Sequence, residues 1–223
     1  MFDLGPQTVY ALIAVAIMLL VGFPVHEFMH AYAANRLGDS TARWQGRLTL
    51  DPRVHLDPLG AGLLAMSALL GGFFIGWARP TPVNPMNLQG GRRGETIVAV
   101  AGPLSNLVMA AVVAIVYRLI VGNAETVLGI ASEQVWNTIL FVLFYFVWIN
   151  ASLFVFNLLP VPPLDGWNAL LGLVSPRLNW QLRGLQARYA QFIPFIFLAL
   201  ILFGGSRIIG PIVEAILGIL IGR

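Results

Sequence analysis

Five consecutive residues, His26-Glu27-Phe28-Met29-His30, have the types and the spacing needed for metal-dependent hydrolysis. On a helix, His26 and His30 lie one turn apart on the same face, so both imidazoles can bind one metal ion. Glu27 lies beside them, where its carboxylate can accept a proton from water at the metal. The alternatives are a chance match and a buried polar cluster without metal. Both are disfavoured, because the flanking chain is apolar and unpaired ionisable groups are costly there.

The composition predicts a membrane protein. Of the 223 residues, 58% are hydrophobic and 10% are charged, and mean hydropathy is +0.80. A soluble domain would carry about 25% charged residues. We therefore expect an all-α polytopic membrane protein, since helices satisfy their own backbone hydrogen bonds in lipid. The chain has no cysteine and no lysine, which excludes thiolate and Schiff-base chemistry. The net charge of +3 comes from arginines and fits the membrane surface rather than nucleic acid.

Apolar segments run along nearly the whole chain, so we expect a single membrane-embedded domain over residues 1–223. Its core would be three spans, at about 9–37, 95–121 and 134–159. Two shorter apolar segments, about 189–203 and 208–222, predict a C-terminal helical hairpin, and the Arg-rich stretch 176–188 before them predicts a loop. In the first span, Pro24 should kink the helix and free the carbonyl of Leu20. Gly38 should lie just past its end.

Residues 61–77 are apolar but lie at the lower limit of length for a span. The loops on both sides carry arginines, and positive residues favour the cytoplasm. We therefore expect a re-entrant or hairpin segment here. Upstream, residues 41–50 alternate in a strand-like way, with Trp44, Leu48 and Leu50 on one parity. His55 lies in the same loop region and is expected at a surface or an interface, the alternative being a gating or auxiliary group near the site.

A catalytic zinc usually has three protein ligands and a water, so the two histidines need a partner. Asp165 follows the prolines at 160, 162 and 163, at the end of the span that returns to the same side as His30. The alternative is an ordinary helix-capping aspartate. An isolated carboxylate near the membrane is costly without a cation, which favours a metal ligand.

Three segments together resemble the site-2 protease family of intramembrane zinc metalloproteases. They are the H-E-x-x-H at 26–30, the G-P-L-S-N at 102–106 and the N-L-L-P-V-P-P-L-D-G at 157–166. The resemblance covers about half of the chain. It implies one Zn²⁺ per chain, held by His26, His30 and Asp165, with Glu27 as the catalytic carboxylate. It also implies that Asn157 and Asn106 contact the substrate or the oxyanion, although a helix–helix hydrogen bond is equally compatible with Asn157.

The expected function is therefore that of a zinc endopeptidase that cuts transmembrane protein substrates, in regulated intramembrane proteolysis. The chain would be a compact member without PDZ or CBS domains, in a prokaryotic inner membrane, with its active site toward the cytoplasm. An extended substrate could pair with a strand edge at 45–50 or with the segment 71–77. The alternatives are a metal transporter, a metal-stabilised protein without catalysis and an inactive relative that only binds membrane helices. The sequence leaves the oligomeric state open.

Overall fold

The computed structural model describes residues 6–70, 76–123, 132–200 and 207–222. Within these ranges the chain is helical, with no strand and one isolated antiparallel bridge between Leu56 and Ala78. The all-α fold class is therefore confirmed. The helices are α1 (Pro6–Ile17), α2 (Phe23–Arg36), α3 (Thr41–Trp44), α4 (Pro52–His55), α5 (Pro58–Leu69), α6 (Arg92–Gly122), α7 (Glu133–Asn157), α8 (Asp165–Leu173), α9 (Pro176–Arg188), α10 (Ile193–Ala199) and α11 (Gly210–Ile221).

Three helical stretches are long and apolar enough to cross a membrane. They are Thr8–Arg36 with 29 residues, Arg92–Gly122 with 31 and Glu133–Asn157 with 25. At 1.5 Å per residue each exceeds the roughly 30 Å of bilayer hydrocarbon. The predicted bounds of the three core spans lie within a few residues of these helices. The chain is thus an integral membrane protein by the length and composition of its helices.

The first stretch is irregular in its middle, just before Pro24. A π-helical turn, Met18–Gly22, joins α1 to α2, and the Phe23 N–H donates to the Met18 carbonyl. Wider hydrogen bonding at this turn accommodates a proline, which has no N–H to give. The helix ends where Gly38 takes φ 98°, a left-handed conformation that favours glycine. Gly38 therefore ends this helix as predicted.

Helix α6 is the centre of the bundle, since it packs against α2, α7, α8 and α11. Small buried residues such as Ala110, Ala114 and Ala151 let α6 and α7 approach closely. A second apolar cluster joins α1 and the π turn to α5 and α7, around Met18 and Ile149. Because α6 touches both α2 and α8, it connects the two parts of the chain that carry the predicted metal ligands.

The predicted strand-like region at 41–50 is wrong. The structure has the short helix α3 followed by turns at these positions. The Asp39 side chain accepts from the Thr41 N–H and hydroxyl, which favours a helical start over an extended chain. The alternating apolar residues do not face a core, since Trp44 is 79% exposed and Leu50 is 55% exposed. The strand edge that we expected to pair with substrate at 45–50 is therefore absent.

The segment predicted to re-enter the membrane contains α5, a 12-residue helix. At about 18 Å it is too short to cross a bilayer. It packs against α1. Residues 71–75, which include most of the second candidate for substrate pairing, lie outside the described residues. Re-entrant topology at 61–77 stays a prediction.

The loop predicted at 176–188 is wrong, because the structure has the helix α9 there. The Ser175 hydroxyl accepts from the Leu178 N–H, and Pro176 occupies the first helical turn. These start signals prevail over the polar composition that suggested a loop. Of the predicted C-terminal hairpin, α10 and α11 are described, and residues 201–206 between them lie outside the described residues.

Candidate metal centre

The two histidines of the H-E-x-x-H motif point toward each other from one face of α2. Both are buried, each with 7% of its surface exposed. Their Nε2 atoms are 3.0 Å apart, although their rings are nearly perpendicular. Two unprotonated imidazole nitrogens at this separation repel each other through their lone pairs. A cation bound by both nitrogens would remove this repulsion.

Asp165 completes the group from a distant part of the chain. It is the first residue of α8, directly after the proline-containing turn that follows α7. Its Oδ2 lies 3.1 Å from His26 Nε2 and 3.3 Å from His30 Nε2. A carboxylate oxygen and two imidazole nitrogens thus converge at one point.

This donor set fits zinc. Ligand atoms about 2.1 Å from a tetrahedral centre lie roughly 3.4 Å from one another. The three potential ligand atoms of the structure are separated by 3.0, 3.1 and 3.3 Å, close to that value. Nitrogen and carboxylate oxygen are ligands that zinc accepts, and three of them leave a fourth position free, as catalytic sites require.

Gly102 of α6 provides the room for this group. A Cβ at this position would overlap His30 Nε2 and would lie 2.8 Å from His26 Nε2. The α6 backbone therefore passes against the imidazole nitrogens, and a larger residue would push a ring out of place. Close approach of the two imidazoles therefore explains why the G-P-L-S-N motif at 102–106 begins with glycine.

The other ring nitrogen of each histidine is held by an acceptor on α6. His26 Nδ1 donates to Asn106 Oδ1 at 2.6 Å, and His30 Nδ1 donates to the Val98 carbonyl at 2.7 Å. Because both acceptors bind the Nδ1 proton, both Nε2 atoms keep their lone pairs for a metal. This pattern of outer hydrogen bonds is typical of metal-binding histidines.

Glu27 lies beside the ligand group but bonds to a different part of the chain. Its Oε2 accepts from the Thr81 N–H at 2.8 Å and lies 2.7 Å from the Thr81 hydroxyl. Thr81 belongs to the irregular segment 77–84, which passes over α2. One carboxylate oxygen of Glu27 is thus fixed twice, which leaves Oε1 for other partners.

A cavity of about 310 Å³ adjoins these groups. Glu27, His30 and Asp165 line it. Its lining also includes Thr81, Asn168 of α8 and the Arg183–Glu95 ion pair, whose nitrogen and oxygen are 2.7 Å apart. The cavity provides space for a substrate segment next to both the candidate ligands and the candidate base.

The remaining predicted residues have other contacts. Asn157 is the last residue of α7, and its Nδ2 donates to the Leu153 carbonyl at 2.9 Å on its own helix. Asn106 contacts His26, and the substrate or oxyanion contact expected of it stays a prediction. His55 is fully buried, so the predicted surface position is wrong, and its Nε2 lies 2.7 Å from the Thr49 carbonyl. His55 is not part of the ligand group.

Sequence reasoning missed two residues that contact the site directly or indirectly. Thr81 lies between two prolines in a loop, and only the folded chain shows that it meets Glu27. Asn150 was visible as a polar residue inside an apolar span, which is a signal of function in a membrane helix. Its partner, Asn106, could not be identified from spacing because the two lie on different helices.

Known proteins are similar to this chain over most of its length. The profile of Peptidase family M50 matches residues 14–203. A Bacillus subtilis (strain 168) protein named "Putative zinc metalloprotease YwhC" is 39% identical over 201 residues, which cover 89% of this chain and 85% of the relative.

Mycobacterial relatives are longer than this chain. The Mycobacterium tuberculosis (strain ATCC 25618 / H37Rv) protein named "Putative zinc metalloprotease Rip2" is 34% identical over 181 residues, which cover 81% of this chain and 64% of that protein. Its Mycolicibacterium smegmatis namesake is 35% identical over 162 residues, 72% of this chain and 55% of the relative. No solved structure matches the chain significantly. With a profile match over most of its length and a close relative covered almost throughout, the chain belongs to Peptidase family M50, the site-2 protease family of membrane metalloproteases.

Proposed function

We propose that this protein is an intramembrane zinc endopeptidase that hydrolyses peptide bonds within or near the transmembrane segments of other membrane proteins. The observation that carries the proposal is the convergence of His26, His30 and Asp165 beside a cavity that Glu27 also lines. The family membership and the apolar helices support it.

In this proposal His26 and His30 would hold one Zn²⁺ through Nε2, and Asp165 would hold it through its carboxylate. The bound ion would act as a Lewis acid, polarising a water molecule and the scissile carbonyl. The three residues hold it from two elements, α2 and α8, which α6 keeps together. Three protein ligands would leave a fourth coordination position for water or substrate.

Glu27 is the catalytic carboxylate. With Oε2 held by Thr81, Oε1 accepts the proton of the attacking water and later passes that proton to the leaving amine. Two fixed donors reduce the rotational freedom of the carboxylate, which favours proton transfer in one geometry.

The substrate must reach this point as an extended chain, because the carbonyls of a helix are already hydrogen-bonded. The cavity of about 310 Å³ accommodates a few residues of such a chain. Asn157 donates one Nδ2 hydrogen to the Leu153 carbonyl, and its second Nδ2 hydrogen could serve as an additional contact. Its role as a substrate or oxyanion contact remains part of the proposal.

We place the protein in the cell membrane of a prokaryote with the site toward the cytoplasm. Arg43, Arg47, Arg53 and Arg79 lie between α2 and α6, whereas the stretch 124–132 between α6 and α7 contains no arginine. Positive residues near membrane helices favour the cytoplasmic side. Regulated intramembrane proteolysis is the process in which such a site would act.

The experiment is to purify the protein and its Glu27→Gln variant in detergent, measure zinc content, and assay cleavage of a transmembrane peptide. We expect equal zinc in both and cleavage only by the wild type. Cleavage by the variant would remove Glu27 from the chemistry. Zinc flux into proteoliposomes without any peptide cleavage would instead support the transporter reading.

A further inference from the structure

Two buried asparagines extend the hydrogen bonding of His26 to a third helix. Asn106 on α6 donates from Nδ2 to Asn150 Oδ1 on α7, at 2.9 Å. Asn150 in turn donates from Nδ2 to the Phe146 carbonyl, also at 2.9 Å. Both asparagines have 0% of their surface exposed. The chain of bonds therefore runs from α2 through α6 to α7 without contact with solvent.

The direction of these bonds is determined at the far end. The Phe146 carbonyl can only accept, so Asn150 must turn its NH₂ group toward it and its Oδ1 toward Asn106. Asn106 must then give its own NH₂ to Asn150 and turn Oδ1 toward His26. An oxygen in that place accepts a proton, which selects the His26 tautomer with hydrogen on Nδ1. That tautomer leaves the Nε2 lone pair free for a ligand bond.

We propose that Asn150 is a positioning residue of the metal centre, which acts through Asn106 on the tautomer and orientation of His26. The proposal rests on the proposed zinc site, because it concerns the affinity of that site for its ion. Burial of two amides in an apolar bundle is costly unless their hydrogen bonds are made, and here both amides are paired. This explains why asparagine, and not an apolar residue, occupies the interior face of α7.

The test is the zinc affinity of the purified protein in detergent, measured by competition with a chelating dye. Loss of a residue that orients a metal-binding histidine typically lowers metal affinity 10–100-fold. We expect about a tenfold loss in Asn150→Leu and a larger loss in Asn106→Leu. Ser152→Ala is the matched control, since Ser152 also lies on α7 and donates to a carbonyl one turn back, that of Trp148. Its zinc affinity should equal that of the wild type.

A double variant separates positioning from general packing. If Asn150 acts through Asn106, then Asn106→Leu with Asn150→Leu should bind zinc no more weakly than Asn106→Leu alone. Losses that simply add would overturn the proposal. Asn106→Asp gives a second arm, because a carboxylate accepts from His26 Nδ1 without help. In that background Asn150→Leu should leave zinc affinity unchanged.

If Asn150→Leu binds zinc as tightly as the wild type, the positioning role is wrong and the proposed function stands. If the wild type binds no zinc, the proposed function itself fails. Should Asn150→Leu not fold, Asn150→Ala removes the same hydrogen bonds with less volume, and thermal unfolding in detergent identifies the folded variants.

Discussion

The candidate metal ligands and the candidate base are held in different ways. His26 and His30 are fixed by acceptors inside α6, and Asp165 starts a helix that packs on α6. Glu27, by contrast, is fixed by Thr81, a residue of an irregular segment. Packed helices are stable parts of a fold, whereas loops change conformation at lower cost. Metal binding and proton transfer should therefore be separable by mutation.

Asp165→Ala should have the largest effect. It removes a ligand and leaves two neighbouring imidazoles without their carboxylate, so zinc affinity should fall by about 100-fold or more, beyond the range for outer residues. Zinc content of the purified variant, measured by atomic spectroscopy beside the wild type, checks this. A variant that retains full zinc would separate Asp165 from the metal site.

Gly102→Ala should have the second-largest effect, and it should also act on metal binding. The added methyl group would overlap His30 Nε2, so either a ring or α6 must shift. We expect a loss of zinc affinity of about tenfold or more, measured by the chelator competition. Gly62→Ala is the control, because a Cβ at Gly62 meets no atom within 4 Å. Equal zinc affinity in both variants would contradict the close approach of α6.

Thr81→Val should impair proton transfer by Glu27 without changing metal binding. The hydroxyl is lost while the backbone N–H and the side-chain shape remain, so one hydrogen bond to a carboxylate disappears, worth about 1.5–3 kcal/mol. Cleavage should fall about tenfold in kcat, and zinc affinity should stay at the wild-type value. Thr81→Ser, which keeps the hydroxyl, should restore most of the rate. If zinc affinity falls together with cleavage in Thr81→Val, the two regions are not separable.

Asp39→Asn should have the smallest effect. The buried Asp39 carboxylate accepts from the Asn84 N–H at 2.7 Å and the Asn87 amide at 3.1 Å, which tethers the segment beyond Thr81 to the end of α2. Burial raises the pKa of Asp39, but hydrogen bonds from Thr41, Asn84 and Asn87 lower it overall. An amide satisfies fewer of these donors, which should destabilise the loop by about 1–3 kcal/mol. We expect faster proteolytic nicking of residues 77–88 and a several-fold slower cleavage, with zinc content unchanged.

The same contrast between packed helices and an irregular segment determines which features could be predicted from the sequence. Apolar length predicts membrane helices because lipid leaves a backbone few choices, and the spacing of His26 and His30 follows from helix geometry. Asp165 could be inferred from the cost of an isolated carboxylate. Thr81 could not, since a loop takes its place from tertiary contacts such as those of Asp39. The predictions of a strand at 41–50 and of a loop at 176–188 were wrong. At both places a side chain, that of Asp39 or Ser175, accepts from a backbone N–H and favours the start of a helix.

The position of α6 between α2 and α8 has a consequence for how a substrate arrives. The elements that carry the ligands cannot move apart without losing packing against α6, so separating them would be costly. The segment 77–84 is held instead by single hydrogen bonds, such as those of Thr81 to Glu27 and the backbone bond from Arg79 to the His55 carbonyl, so its displacement would cost less. A polypeptide that displaced this segment would also release Glu27. The same few hydrogen bonds would therefore control both the entry of the polypeptide and the orientation of the candidate base.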